Sequence, residues 1–264
     1  MADPRSSFYR RVLGSLLAEG VIEPGMSVLV SCGGSADRDA LAGAGFTDVT
    51  ITNVDSGGDD GALAPFAWER QDAEDLTYAD GSFDVAIVSA GLHHCRSPHR
   101  ALLELYRVAR VAAIALESRD SSLMRLAVRF GAVDDYELAA VAAHGLAAGG
   151  VANTSTPNFV YRWTEREVEK TIASYAPHAR HRLRYLREFE LPEVLTKAAR
   201  GPRGVLLRTL GPLAGLVAGV LPSQANLFAF AIEKPRVPQD LQAWMASATE
   251  PDERVIGSRY AIDR

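Results

Sequence analysis

Three places in the first half of the chain carry residues of the kind that hold a nucleoside. The first is SVLVSCGGSADRDAL (residues 27–41), where the apolar run Val28 to Val30 leads into Cys32-Gly33-Gly34-Ser35-Ala36 and a helix opens at Asp37. Such a strand-turn-helix brings backbone close to a ligand and points a helix N-terminus at it. The two glycines are adjacent, so the spaced glycines of a dinucleotide fingerprint are missing. The second is Asp55, 21 residues after Gly34 at the end of VTITNVD. That spacing suits a carboxylate accepting from both hydroxyls of a ribose. The third is Asp72, which opens DAEDLTYADGSFDVAIVSAGLHH. A carboxylate there can accept from an adenine amino group while the backbone of Ala73 meets the ring nitrogens.

These residues need a sheet whose strands end at one edge. Short apolar runs rich in β-branched residues predict strands at 27–30, 48–54, 83–89 and 111–116, with a weaker one near 68–71. Helices fit between them at 37–44 and 98–108, which argues for an α/β fold with a parallel sheet. Beyond Glu117 the alternation stops. Residues 121–148 predict helix in two pieces broken near Gly131, followed by the loop AAGGVANTSTPNFVYR. Thr164 and Glu167 form a capping signature for a helix running to about Tyr175. A strand is expected within 178–190, a helical stretch over 192–221 and a last strand over 226–234, with a short helix at 239–246 in the tail.

Composition narrows the class. The chain has 264 residues, 47% hydrophobic and 23% charged, which is ordinary for a globular protein. A net charge of −5 and a pI near 5.7 disfavour a nucleic-acid partner. The first twenty residues read as an amphipathic helix rather than a signal peptide. Cys32 and Cys95 are too few for a disulfide framework, so a cytoplasmic location is expected. Nothing is long and apolar enough for a membrane span.

The string from Asp72 to His94, followed by ALLELYRVAR (101–110), resembles the class I S-adenosylmethionine-dependent methyltransferases over roughly residues 27–117. The resemblance implies a Rossmann-like, doubly wound, mostly parallel seven-stranded sheet with an antiparallel last strand and helical insertions over the acceptor site. It also accounts for the glycine-poor turn, since S-adenosylmethionine has no phosphates. It implies a cofactor site of Cys32, Gly33, Gly34, Asp55, Asp72, Ala73, Ala90 and His93. The turn departs from the family pattern: the acid that usually meets the cofactor's amino group is absent. A nicotinamide dehydrogenase is disfavoured, because the third glycine is missing and Asp72 would be unexplained.

In-line methyl transfer requires an acceptor to be positioned, and a hydroxyl acceptor also needs a base. On a helix from Asp134, the residues Asp134, Glu137, Val141 and His144 would share a face. His144, oriented by Glu137, is therefore the candidate base. PNFVYRW (157–163) has the planar and hydrogen-bonding side chains of sugar recognition, so Asn158, Tyr161, Arg162 and Trp163, with His94, form the candidate acceptor set. An aromatic cluster sealing helix to sheet would use the same residues. The order DYELAAV, GGVANT, PNFVYRWTEREVEKTI is similar to methyltransferases of glycan and secondary-metabolite pathways, among them sugar O-methyltransferases acting on methylmannose polysaccharides. Glu117, Asp120, Asp134 and Asp135 are acids that would suit Mg2+ as a second cofactor.

The expected organisation is an N-terminal helix and cofactor-binding core over 1–117 and an acceptor-site insertion over 118–163. The rest of the core would span 164–234, with an apolar helical insertion at about 192–222, and a polar tail 235–264. The leading expectation is O-methylation of a sugar or glycan hydroxyl. The alternatives are a polyketide- or lipid-like acceptor, or a non-catalytic binding protein of methyltransferase fold. The apolar stretch 204–222 is expected either to pack against a second copy, giving a homodimer, or to line the acceptor entrance.

Overall fold

The computed structural model describes residues 4–55, 61–190, 212, 215–236 and 238–260. Its centre is a seven-stranded sheet built from β1 (Val28–Ser31), β2 (Val49–Asn53), β3 (Ala67–Arg70), β4 (Phe83–Ser89), β5 (Ala109–Ser118), β6 (Arg182–Glu188) and β7 (Leu227–Glu233). The strand order is β3-β2-β1-β4-β5-β7-β6. β7 runs antiparallel to both β5 and β6, and the other pairings are parallel. This is the Rossmann-like sheet expected from the sequence.

Burial on both faces explains the continuous apolar strands. Val28 and Val30 pack with Phe8, Leu13 and Leu16 of α1 (Pro4–Ala18) and with Leu41 of α2 (Ser35–Gly43). Leu29, one residue out of phase, packs on the opposite face with Leu102 and Leu105 of α3 (Pro98–Val108). Ser97 caps α3 by accepting the Arg100 N–H, with Pro98 in the first turn, where its missing N–H costs nothing. The sheet order reverses between β1 and β4, and open α/β sheets bind ligands outside the carboxyl ends of strands at that point.

After β5 come two short helices, α4 (Ser122–Arg129) and α5 (Leu138–Ala143). The helix expected from Asp134 is shorter than its pattern, because Asp135 to Glu137 pair with another segment. Val160 N–H donates to Asp135 O, Glu137 N–H donates to Asn158 O, and Tyr136 bridges Phe159. The Thr164–Glu167 capping box forms both of its bonds and opens α6 (Glu165–Tyr175). In the tail, the region expected as a helix at 239–246 is turns and a bridge from Leu241 to Ala179. A further helix, α7 (Glu253–Arg259), follows it.

Most of the apolar stretch 192–222 lies outside the described residues. Residues 215–220 are helical, and Leu216, Val217, Val220 and Leu221 are exposed. No described helix is long and apolar enough to cross a membrane.

Candidate functional site

A cavity of about 350 Å³ opens at the carboxyl ends of β1, β2 and β4. Its core-side lining includes Cys32, Asn53, Asp55, Asp72, Ala73 and Ala90. Cys32 and Ala90, each one residue past its strand, have φ of 55° and 52°, in the left-handed region that side chains resist. They sit at the two lips of the crevice, where such strain concentrates at ligand sites. Gly91 follows, and a Cβ on it would stand 2.5 Å from Cys32 Cβ and 2.8 Å from Val88 Cγ2. Glycine is therefore required for this close approach. Neither Gly91 nor Asn53 is marked out by a spacing in the sequence; for Gly91, a glycine just beyond a buried strand is the one local signal.

Gly33 and Gly34 shape the turn and are not among the lining residues. A Cβ on Gly33 would meet Val30 Cγ1 at 2.6 Å, and its carbonyl accepts from Asn53 Nδ2 at 3.3 Å. Gly34 donates its N–H to Asp37 at 2.9 Å. Burial pushes Asp37 up to about 6, although that N–H opposes the shift. Tyr9 of α1 is buried beside it, raised by burial and by the Asp37 charge. Asp72 accepts the Glu74 N–H at 2.9 Å, and Glu74 in turn accepts the N–H groups of Arg96 and Ser97, which ties this loop to the start of α3. Cys32 and Cys95 are free thiols; hydrogen bonding to Cys32, then burial, raises Cys95.

The turn Leu92–His94 carries the densest chemistry. His93 is 5% exposed and does not line the cavity, so its expected place in the cofactor wall is taken by Ala90 and Gly91. Its Nδ1 lies 2.7 Å from Glu117 Oε2, and Glu117 Oε1 accepts the Leu92 N–H at 2.8 Å. Glu137 does not pair with His144. Its carboxylate faces the two histidines, Oε1 at 3.6 Å from His93 Nε2 and Oε2 at 3.3 Å from His94 Nε2. Burial alone would lower His93, but Glu117 and then Glu137 outweigh it and bring it to about 10. Burial and the neighbouring His93 lower His94. The contact with His93 draws Glu137 down to about 2 against its own desolvation.

His94, Glu137, Ala140, His144, Gly149 and Asn153 close the cavity from the insertion side. His144, just past α5, places Nδ1 2.8 Å from Ala140 O. Gly149, with φ of 90°, makes room for it, since a Cβ there would stand 2.7 Å from His144 Nδ1.

The remaining candidates are spread apart. Asn158 is buried behind Glu137, with Nδ2 3.4 Å from Glu137 Oε2 and its Oδ1 without a hydrogen-bond partner. Tyr161 and Arg162 line a second cavity of about 570 Å³ with Asp120 and Asp135. There Tyr161 donates to Glu167 at 2.9 Å and Arg162 donates to Asp135 at 2.7 Å. Trp163, expected at the acceptor, is fully buried among His99, Tyr161 and Phe230 and lines neither cavity. It seals α6 to the sheet. The acids expected for magnesium do not converge: Glu117 serves His93, Asp120 pairs with Arg125, Asp135 holds Arg162, and Asp134 is exposed.

Residues 28–116 match a methyltransferase domain family. No curated protein sequence matches the chain. Among solved structures, the chain is similar to YcgJ of Bacillus subtilis (TM-score 0.51, 12% identity, 86% of this chain and 99% of that one). It is also similar to the magnesium protoporphyrin IX methyltransferase of Synechocystis PCC 6803 with bound SAH (TM-score 0.50, 13% identity, 87% of this chain and 83% of that one). At these identities the structures speak for the fold alone. The family match and the structures together show a methyltransferase domain over residues 28–116 within a Rossmann-like fold shared with solved methyltransferase structures.

Proposed function

We propose that the protein methylates a hydroxyl of a small polar acceptor, a sugar or glycan, held beneath the insertion 118–163. One observation carries the reading. A single cavity is lined on one side by Cys32, Asp55, Asp72, Ala73 and Ala90, and on the other by His94, Glu137, His144 and Asn153. Its volume of about 350 Å³ falls in the range of small-molecule sites. The insertion side presents imidazoles, a carboxylate and an amide, which favours a hydroxylated acceptor over an apolar one.

The residues present fit the cofactor. The positive φ of Cys32 and Ala90 and the absent side chain of Gly91 bring backbone to the cavity edge. Asp55 would accept from the ribose hydroxyls, and Asp72 with the backbone of Ala73 would meet the adenine. When bound, S-adenosylmethionine supplies the electrophilic sulfonium methyl. His144 donates from Nδ1 to the Ala140 carbonyl, which leaves Nε2 to take the acceptor's proton. The insertion over the strand ends positions the acceptor and excludes water.

The test is a panel of hydroxylated sugars and apolar phenolic or polyketide-like acceptors incubated with methyl-labelled S-adenosylmethionine. Label entering a sugar at a hydroxyl supports the reading. Label entering apolar acceptors alone, or cofactor binding with no transfer to any acceptor, overturns it.

A further inference from the structure

The contacts of Glu137 with the two histidines have an unusual length. At 3.6 and 3.3 Å, neither is a well-formed N–H···O bond, which for a charge-assisted pair is about 2.7–2.9 Å. They are close to another distance. Two ligands of a tetrahedral metal with bonds of ~2.0–2.1 Å are roughly 3.3 Å apart. One donor atom from each of His93, His94 and Glu137 lies within 4.8 Å of the others, among the described residues the one such group.

The surroundings are those of a ligand set. His93 Nδ1 is engaged by the buried Glu117 at 2.7 Å, so the proton that Glu117 holds stays on Nδ1 and a metal ion that displaces the other proton would take Nε2, which faces Glu137. A carboxylate behind the far nitrogen of a histidine is how metal-bound imidazoles are oriented. Asn158, itself 2% exposed, stands behind Glu137 at 3.4 Å. His94 and Glu137 line the cavity, so a fourth coordination position faces the space that a small molecule would occupy.

We propose that His93, His94 and Glu137 form a binding site for one divalent first-row transition-metal ion, with its open position toward the cavity. Two imidazoles and one carboxylate are the donors of catalytic zinc and non-haem iron(II) sites, whereas magnesium favours oxygen donors and bound water. The role of such an ion, to bind the acceptor oxygen and ease loss of its proton, rests on the methyl-transfer reading above. Its binding does not.

The experiment uses Co2+ alone on the full chain after chelator treatment, followed by visible d–d absorption. One equivalent should bind, be displaced by Zn2+, and resist an excess of Mg2+. Glu137→Gln and His94→Ala, checked for folding by circular dichroism, should lose the band, whereas His178→Ala should keep it. Glu117→Gln, which leaves the three ligands in place, should weaken Co2+ affinity by ~10- to 100-fold. Absence of a band, a band untouched by Glu137→Gln and His94→Ala, or displacement by Mg2+ as ready as by Zn2+ overturns the assignment, whatever the acceptor proves to be.

Discussion

Glu117 Oε2 lies 2.7 Å from His93 Nδ1, while its Oε1 accepts the Leu92 N–H. One buried carboxylate near the end of β5 thus fixes both the ring and the backbone of the turn that follows β4. Removing one partner of a buried charge pair costs about 3–5 kcal/mol, because the other is left uncompensated. Glu117→Ala should therefore lose stability of that order in urea unfolding, and Glu117→Gln, which retains an acceptor, clearly less. Equal losses in the two variants would mean that packing, not the pairing with His93, sets the cost.

Asp37 gives a pH dependence whose sign differs from that of a salt-bridged acid. Burial raises its carboxyl from 3.8 to about 6, so the folded state binds a proton that the unfolded state has released in that window. Stability must then fall as pH rises from about 4 to about 6, and the penalty persists above it. About two pKa units at ~1.36 kcal/mol each make this roughly 3 kcal/mol. Asp37→Asn keeps an acceptor for the Gly34 N–H and lacks the charge. It should match the parent near pH 4 and exceed it in stability at pH 7.5. A difference that stays constant between those pH values would refute the assignment.

Asp55 lines the cavity just past β2, and on the methyl-transfer reading it would accept from both ribose hydroxyls of the cofactor. Without it, two buried hydroxyls would lack an acceptor, at ~1–3 kcal/mol, or about ten- to hundredfold in affinity. Calorimetric titration of Asp55→Ala with S-adenosylmethionine should show that loss with an unchanged unfolding midpoint. Unaltered affinity would move the ribose contact elsewhere.

Much of the fold was legible because its signals are local. Val28 to Ser31 are buried on both faces, so they read as an unbroken apolar run, and Ser97-Pro98 and Thr164–Glu167 announce their helices within one turn. The partner of Glu137 was not legible. Its helical spacing to His144 is real in the sequence, but α5 starts only at Leu138. Backbone pairing of Asp135 and Glu137 with Asn158 and Val160 holds that segment out of the helix and turns the carboxylate toward His93 and His94. A contact across some forty residues of sequence, decided by a two-bond bridge, leaves no periodic trace. Trp163 failed for a related reason: the aromatic residues that suit a sugar face also suit the seal between a helix and a sheet, and only burial separates the two uses.

On the methyl-transfer reading, His144 is the group that takes the acceptor's proton. Its ring lines the cavity, its Nδ1 is committed to the Ala140 carbonyl at 2.8 Å, and Gly149 leaves the space it occupies. Since α5 ends just before it, the ring is held by that carbonyl and not by Glu137. General-base assistance contributes ~100- to 10,000-fold to turnover. His144→Ala should lose turnover in that range with cofactor affinity unchanged, and His144→Gln, which can still donate to Ala140 but cannot accept a proton at neutral pH, should lose as much. Gly149→Ala should displace the ring and lower turnover without removing the base, so added imidazole should rescue His144→Ala better than Gly149→Ala. Near-normal turnover in His144→Ala at neutral pH would transfer the proton's destination to another group on the cavity wall.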